Sequence, residues 1–323
     1  MIIQKDLHGN IIREYSNKSE AAKTLGLNES SVRKGIKYDR VVLGKFKFSI
    51  LDSVNTNTAP VLQVPAKILL LDIETSPLLA YVFQKQVWKA RIGYDKVLSD
   101  YFMLTWAAKW LGETEMLSDK LTSDEVLYEN DERIVISLWK LLDEADIVIA
   151  HNALSFDIPN INTRSIKHNL SPPSPFKIID TLKVAQGQFG FTHNSLDALA
   201  GFFGIPGKSF TNFDLWRKCV FGDKGALQEM ELYNRQDVVV LESVYLKLRP
   251  YIKGHPNLDL YIDEDESVCP SCGSLHINKI KDNYFYTQAV RYDSYRCKDC
   301  GSISRSKTGV KYINKKKISA IPR

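Results

Sequence analysis

The chain has 323 residues, of which 44% are hydrophobic, so it can bury a sizeable core and has room for one medium domain with small additional modules. It lacks a run of the roughly 18 to 20 apolar residues that a membrane span requires, and its N-terminus lacks the apolar core of a signal peptide. These features argue against a membrane protein and predict a soluble, cytoplasmic one.

The net charge of +5 is unevenly distributed along the chain. Residues 1–52 contain ten basic and six acidic residues, residues 275–323 contain twelve and three, and the intervening residues 53–274 carry a formal charge of −8. Basic ends around an acidic centre are typical of modules that hold a polyanion while central carboxylates bind metal ions. Ordinary solvated surface would give the same charge asymmetry, so only the sequence motifs can distinguish the two interpretations.

The first 52 residues have the pattern of a small module in which short strands surround two helices. Ser19 is predicted to cap the first helix, and Gly26 to end it. Asn28 or Ser30 then opens the second helix. Two short helices joined by such a turn form a helix-turn-helix, whose second helix can enter a major groove of DNA.

The helices carry the pattern SEAAKTLGL followed by SSVRKGI, with Arg33 and Lys34 on the outward side of the second. Together with the flanking strands, this pattern resembles the nuclease-associated modular DNA-binding domain of phage and intron-encoded nucleases. The resemblance implies DNA contacts by Arg33 and Lys34, whereas a plain packing unit is the alternative. Residues 53–65 lack periodicity and are predicted to be a linker.

Residues 66–250 alternate strand-like and helical segments, beginning with the buried strand KILLLDIET and ending with a long helix over ELYNRQDVVVLESVYLKL. This alternation predicts an α/β domain whose mixed sheet is flanked by helices. The acidic stretch within residues 251–266 is predicted to be a second linker.

Two acidic residues interrupt the apolar run of the first strand. Asp72 and Glu74 are spaced i, i+2, so both side chains leave the strand on one face and can bind one metal ion together. An acid in such a run is costly unless it is paired or bound to metal. A salt-bridged pair at a strand end is the alternative.

Two further motifs supply carboxylates. Apolar residues recur at helical spacing along the last helix, and this period places Asp237 on the inward side, one turn after Tyr233. In HNALSFD, Asn152 and Asp157 flank the turn that follows the buried strand DIVIA. A buried acid beside a core tyrosine and a helix-capping Asp157 are the structural alternatives.

The order of these motifs, D-x-E, then N-x-x-x-F-D, then Y-x-x-x-D, resembles that of the DnaQ-like 3′→5′ exonucleases, which have a ribonuclease-H-like fold. The segment between the second and third motifs is also similar, and the resemblance covers about residues 66–250. The resemblance extends to predicted exonucleases related to the proofreading domain of family B polymerases. In the histidine-type branch of this family, a histidine stands five residues before the last aspartate. Leu232 occupies that position here, and Tyr233 occupies the position of the tyrosine in the tyrosine-type branch.

The resemblance implies two Mg²⁺ or Mn²⁺ ions, which suit oxygen-only ligands. Asp72, Glu74 and Asp237 would hold the ion that activates water. Asp72 would also bind the second ion, and Asp157 would bind that ion through a water molecule. Tyr233 would orient the attacking water. Phosphodiester hydrolysis by two ions needs little other chemistry.

Substrate contacts are expected at three further positions. By their place in the motifs, Thr75 and Asn152 would contact the terminal nucleotide. Lys208, in IPGKS, would contact a phosphate, although a solvated lysine is an equal interpretation there.

The cysteines predict a second kind of metal site. Cys269, Cys272, Cys297 and Cys300 form two C-x-x-C pairs separated by 24 residues, a spacing that suits one tetrahedral structural Zn²⁺. The fifth cysteine, Cys219, is assigned no role, because a lone cysteine is usually a small buried apolar residue.

Residues 267–305 around these pairs resemble a zinc ribbon, and residues 306–323 form a basic tail. Aromatic residues alternate with Lys and Arg between the pairs, which favours nucleic-acid binding, with a miniature core or protein contacts as alternatives.

The sequence therefore predicts a metal-dependent 3′→5′ exodeoxyribonuclease of phage type that acts on DNA 3′ ends, with no membrane partner. A separate polymerase is a candidate partner. Two alternatives stay open: a structure-specific or homing-type endonuclease on the same fold, and a non-catalytic DNA-binding accessory protein.

Overall fold

The computed structural model of the protein describes residues 2–5, 11–15, 17–37, 42–43, 45, 47–50, 66–83, 91–206, 212–262 and 267–310. The chain divides into two compact units, Met1–Val61 and Leu62–Arg323, each of which is described by itself. The predicted linker 53–65 lies outside the described residues.

The first unit combines a three-stranded sheet with two helices. Its elements in chain order are β1 (Ile2–Lys5), β2 (Ile11–Tyr15), α1 (Lys18–Thr24), α2 (Glu29–Lys37) and β3 (Lys47–Ile50). β1 lies between β2 and β3 and is antiparallel to both. Its buried core cluster comprises Ile2, Tyr15, Ala21, Ala22 and Val32.

The start of α1 differs from the prediction. Asn17, not Ser19, caps the helix, since the Asn17 side chain accepts a hydrogen bond from a backbone amide three residues later at 2.9 Å. The helix begins earlier than the sequence pattern indicates, so the Ser19 hydroxyl lies inside its first turn and donates to Glu29. Gly26 follows α1 with a φ of +65°, a conformation that glycine adopts without steric cost.

The second unit contains a long series of strands and helices. In chain order they are β4 (Ile68–Thr75), β5 (Leu79–Ala80), β6 (Val97–Ser99), β7 (Met103–Trp110), β8 (Leu117–Lys120), α3 (Ser123–Leu127), α4 (Glu132–Glu144), β9 (Ile147–Ala150), α5 (Asp157–Lys167), β10 (Lys177–Asp180), α6 (Thr181–Gln188), α7 (Leu196–Phe203), α8 (Phe213–Val220), α9 (Lys224–Leu248), β11 (Ile277–Tyr286), β12 (Arg291–Cys297) and β13 (Ile303–Arg305). Within the described ranges, none of the helices combines the length and hydrophobicity needed to cross a lipid bilayer.

The central sheet has five strands in the order β10-β9-β4-β7-β8. β9 is parallel to β4 and β10 to β9, whereas β7 and β8 are antiparallel to their neighbours. Helices cover both faces, so the predicted mixed α/β fold of ribonuclease-H type is confirmed. The period of two in β4 divides its apolar residues between two core clusters, with Leu69, Leu71 and Ile73 in one and Ile68 and Leu70 in the other.

The segment predicted as a second linker is packed where the structure describes it. Short 3-10 turns span Arg249–Tyr251 and Leu258–Tyr261, and Leu258 is buried in the same core cluster as the end of α9. His255 Nε2 lies 2.9 Å from the Tyr245 hydroxyl on α9. The apolar side chains of Ile252, Leu258 and Tyr261 account for this packing.

The cysteine-rich region forms a three-stranded antiparallel sheet in the order β11-β12-β13. It is connected to the preceding segment by a backbone hydrogen bond from Leu258 to Pro270 at 2.9 Å. An ion pair between Lys307 and Asp259, at 2.8 Å, adds a side-chain contact.

Candidate active site and cysteine cluster

Three carboxylates converge where α9 crosses the central strand of the sheet. Asp72 and Glu74 continue the face of β4 that begins with Ile68 and Leu70, and α9 packs on β4 and β7. Carboxylate oxygens of Asp72, Glu74 and Asp237 all lie within 4.8 Å of one another. Such an oxygen-only group fits a hard divalent cation.

Tyr233 and Asp237 lie one turn apart on α9, and both are buried. The ring of Trp216, on α8, meets the Tyr233 ring edge to face at a centroid distance of 6.0 Å. This packing fixes the position of the Tyr233 ring beside the three carboxylates.

Asp157 is completely buried at the first residue of α5, apart from the three-carboxylate group. The cap position before α5 is Phe156, which makes no side-chain capping hydrogen bond, so Asp157 does not occupy the cap. Its negative charge nevertheless raises the pKa of Asp72. Asp157 is therefore close enough to influence the group without being part of it.

Asp180, at the end of β10, is a residue that the sequence analysis missed. Its carboxylate accepts backbone hydrogen bonds from Asn152 and Leu154, both at 3.1 Å, and also caps α6. Asn152 adopts a φ of +78°, which asparagine tolerates better than most residues. Asp180 thus holds the turn that carries Asn152 and leads to Asp157. The IIDT motif gave a signal for it, since an aspartate at a strand end often caps the helix that follows.

Asn234 is the second residue that the sequence analysis missed. It is completely buried on α9, and its Nδ2 donates to Asp72 Oδ2 at 2.5 Å. This hydrogen bond fixes one oxygen of Asp72. A polar residue directly after Tyr233 carried no signal that separates it from an exposed helix position.

The electrostatics of the cluster favour protonation when no cation is bound. Burial, together with the charges of Asp157, Glu74 and Asp237, raises the pKa of Asp72 well above its usual value, and the Asn234 hydrogen bond opposes the rise only in part. Burial raises the pKa of Asp157 to about 7. A divalent cation would reverse this preference, because its charge stabilises the ionised carboxylates.

We expect the metal-free protein to lose stability as the pH rises from about 4 to about 8. The unfolded Asp157 side chain ionises near its ordinary pKa of about 3.9, whereas the folded one stays protonated up to about 7. In this interval the folded state binds more protons, so its free energy of unfolding decreases as the pH rises. Thermal midpoints of Mg²⁺- and Mn²⁺-free protein at pH 5 and 8 test this. The difference should be smaller in Asp157→Asn, and an equal difference would contradict the assignment.

An open cleft of about 620 Å³ lies over the carboxylates. Its lining residues are Asp72, Glu74, His151, Asn152, Leu182, Gln186, Thr192, His193, Asn194, Ser195, Leu196, Asp197, Tyr233 and Asp237. Of the predicted substrate contacts, Asn152 lines the cleft. The two histidines and the polar residues around Asn194 were assigned no role from the sequence.

The other predicted contacts lie elsewhere. Thr75 is the last residue of β4, partly buried and outside the cleft lining. Arg33 and Lys34 are exposed on α2 in the first unit. Lys208 lies outside the described residues.

Four cysteine sulfurs form the second cluster, all within 4.8 Å of one another. The sulfur atoms of Cys269 and Cys300 are 3.6 Å apart, and those of Cys272 and Cys297 are 3.7 Å apart. A tetrahedral ion with Zn–S bonds of about 2.3 Å has sulfur edges of about 3.8 Å. The cluster could therefore form a zinc site. Cys219 is buried in the main core.

Comparison with known proteins supports the fold class. Residues 111–249 match the sequence model of the RNase_H superfamily, a segment that includes Asp157, Tyr233 and Asp237 but begins after Asp72 and Glu74. The match covers less than half of the chain, and it agrees with the mixed sheet flanked by helices that the structure shows.

One solved structure similar to the chain is the family B DNA polymerase from the hyperthermophilic archaeon Pyrobaculum calidifontis, at 14% identity and a TM-score of 0.40. The match covers 70% of this chain and 32% of the polymerase, so the chain spans about a third of that protein. Such low similarity carries no conclusion about function. A search of curated proteins found no match.

Proposed function

We propose that the protein is a Mg²⁺- or Mn²⁺-dependent exonuclease that shortens DNA from the 3′ end. One observation carries this proposal: the carboxylates of Asp72, Glu74 and Asp237 converge within 4.8 Å beside Tyr233, in an open cleft of an RNase H-like domain. Three acids at such distances repel one another, and bound cations are the usual reason for that arrangement.

Each residue has a separate role in this reaction. When bound, two divalent ions would supply an activated water and stabilise the charge that develops on the attacking and leaving oxygens. Asp72, Glu74 and Asp237 would hold the first, and Asp72, with Asp157 through water, the second. The Tyr233 hydroxyl would orient the water. Attack of this water on the terminal phosphorus would break the bond to the 3′ oxygen of the preceding nucleotide, release a 5′-mononucleotide and leave a new 3′ hydroxyl on the strand.

The positioning residues support the same reaction. Asn234 donates a hydrogen bond to one oxygen of Asp72 and thereby holds that carboxylate in place. Asp180 fixes the turn that presents Asn152 to the cleft, where its side chain would contact the terminal nucleotide. Thr75 would contact the same nucleotide from the end of β4.

Tyr233→Phe should slow the reaction by about a hundred- to a thousandfold while leaving metal binding intact. The substitution removes one orienting hydroxyl and no metal ligand, and a single positioned donor contributes on this scale. The single-turnover rate at saturating DNA, together with a Mn²⁺ titration, measures both properties. Tyr251→Phe, at an exposed tyrosine beyond α9, is the matched control. An unchanged rate in Tyr233→Phe would remove the residue from the mechanism.

The endonuclease alternative predicts a different product. An enzyme that needs a 3′ end cannot cut circular single-stranded DNA, whereas an endonuclease can. The accessory-protein alternative predicts no hydrolysis at all, and the convergence of the three carboxylates favours a catalytic centre over it.

The modules outside the cleft would hold the substrate. The exposed Arg33 and Lys34 of α2 would contact DNA phosphates as part of a helix-turn-helix. The four cysteines would bind one structural Zn²⁺ and thereby stabilise the β11-β12-β13 sheet. The protein would then act alone or together with a separate polymerase.

A further inference from the structure

Large hydrophobic side chains are concentrated on the surface directly after β4. Leu79, Tyr81, Val82, Phe83, Ile92, Tyr94, Leu98 and Tyr101 are all more than a third exposed. Phe83 and Tyr94 are almost fully exposed, at 94% and 91%. Exposed apolar side chains that are concentrated in one segment of the chain are typical of interaction surfaces. We refer to residues 79–83 and 91–99 as the aromatic hairpin.

The aromatic hairpin is anchored at the strand end that carries the carboxylates. β5 and β6 pair antiparallel, and Tyr81 donates a backbone hydrogen bond to Lys96 at 2.9 Å. At the base, Ser76 donates its backbone N–H to the Phe102 carbonyl at 2.8 Å, and its hydroxyl accepts from the Phe102 N–H at 3.0 Å. Ser76 is two residues after Glu74, so both ends of the hairpin start beside the site.

Chain geometry limits how far the rings can be from the site. Phe83 is nine residues after Glu74. At about 3.3 Å per extended residue, the Cα atom of Phe83 lies within about 30 Å of the Cα atom of Glu74. A stacked strand rises about 3.4 Å per nucleotide, so this distance corresponds to at most about nine nucleotides.

The chemistry of the aromatic hairpin fits a single strand of nucleic acid. The Lys96 ammonium lies 5.8 Å from the centre of the Phe83 ring. Residues 77–101 hold four basic and two acidic residues, although the surrounding interval 53–274 is acidic. Aromatic rings interleaved with cations bind single strands, because bases stack on the rings and the cations neutralise phosphates.

The aromatic residues of the β11-β12-β13 sheet contrast with this arrangement. The Arg291 guanidinium lies 4.3 Å from the centre of the Tyr284 ring, and that of Arg305 lies 4.0 Å from the centre of the Tyr292 ring. A guanidinium therefore already covers one face of each ring. Phe83 and Tyr94 offer far more free ring surface than these two.

We propose that the aromatic hairpin binds the single-stranded nucleic acid that leads to the 3′ end, with Phe83 and Tyr94 stacking on bases and Lys96 contacting a phosphate. This inference rests on the proposed function, because the bound strand is the substrate of the carboxylate site. It predicts a length dependence: a trinucleotide occupies the cleft alone, whereas a strand of a dozen nucleotides also reaches the hairpin.

Equilibrium binding of fluorescent 12-nucleotide and 3-nucleotide single-stranded DNA, without Mg²⁺ or Mn²⁺, tests the proposal independently of cleavage. In the full chain, Phe83→Ala plus Tyr94→Ala should weaken binding of the 12-mer about five- to 150-fold per ring and leave the 3-mer unchanged. Lys96→Ala should flatten the slope of log affinity against log salt by roughly 0.7. All three side chains project from the fold, so melting midpoints should stay at the wild-type value.

Phe221→Ala is the matched control. Phe221 is 76% exposed and precedes α9, whose 14 residues from Lys224 to Asp237 span about 20 Å. This variant should bind both oligonucleotides as the wild type does.

The outcomes separate the two proposals. Equal 12-mer affinity in the wild type and the Phe83/Tyr94 double variant would overturn the hairpin proposal, even if Mg²⁺-dependent shortening is observed. So would a loss of self-association in the double variant with unchanged DNA affinity, which would make the hairpin a protein-binding surface. If the wild type fails to shorten DNA but the double variant loses 12-mer affinity, the hairpin proposal holds and the proposed nuclease function fails.

Discussion

Replacing Asp72 or Asp237 by asparagine should reduce metal-dependent DNA shortening by about a thousandfold or more, and should raise rather than lower the thermal midpoint of the metal-free protein. The first effect is expected because each residue is a ligand that the ion site needs, and groups that act as a unit fail together. The second follows from the raised pKa of Asp72, since burial and three neighbouring charges make its ionised form unfavourable in the folded state. Asparagine keeps the shape and removes the charge.

Asp131 provides a matched control, because it is a buried carboxylate that forms an ion pair outside the cleft. Burial would raise its pKa, but hydrogen bonds from Arg164, from the Met103 amide and from His168 outweigh that effect and lower it. Its oxygens lie 2.6 and 2.7 Å from the Arg164 guanidinium. Asp131→Asn should therefore destabilise the protein, by about 3 to 5 kcal/mol, because it leaves a buried arginine without its counter-charge.

The loss of activity and the change in the melting midpoint are measured in the same samples. Activity on 5′-labelled single-stranded DNA and the metal-free melting midpoint at pH 8 are recorded for the wild type, Asp72→Asn, Asp237→Asn and Asp131→Asn. Inactive variants that melt no lower than the wild type would identify functional carboxylates. Folded Asp72→Asn protein with undiminished activity would contradict the mechanism.

Replacing both Cys269 and Cys272 by serine should abolish zinc binding and unfold mainly the β11-β12-β13 sheet. A module this small has little core of its own, and a structural zinc site supplies much of its folding free energy. Among the described residues of its three strands, Ser294 and Cys297 are the buried positions, which agrees with a minimal core. The domain around the five-stranded sheet has its own extensive core clusters and should stay folded.

Elemental analysis and limited proteolysis measure this second effect. The wild type should contain about one zinc per chain, and the double variant none, with new cleavage sites confined to residues after 267. Cys219→Ser is the matched control, because Cys219 lies in the main core and should not affect zinc content. Zinc-free wild-type protein with four reduced cysteines would refute the site.

The sequence predicted the central features of the cleft because their periodicities are local. Alternation along β4 is sufficient to place Asp72 and Glu74 on one face, and the helical period is sufficient to place Tyr233 and Asp237 together. That β4 and α9 meet was implied only by the family resemblance. The structure brings them together, with three carboxylates in one group.

Other features depend on contacts between distant segments, which one sequence does not reveal. Asn234 and Asp180 act through hydrogen bonds to residues 162 and about 28 positions away. The prediction placed the cap of α1 at Ser19 instead of Asn17, since neighbouring polar residues are equally good caps by type. The aromatic hairpin went unrecognised because its strands have only two and three residues.

The most direct test of the proposed function is the product pattern from 5′-labelled linear and circular single-stranded DNA of the same sequence, incubated with the wild-type protein and Mg²⁺ or Mn²⁺. The proposed exonuclease should degrade the linear strand to a ladder that shortens one nucleotide at a time from the 3′ end, with release of 5′-mononucleotides, and should leave the circle intact. Cleavage of the circle at a comparable rate, or no hydrolysis of either substrate with either ion, would contradict it.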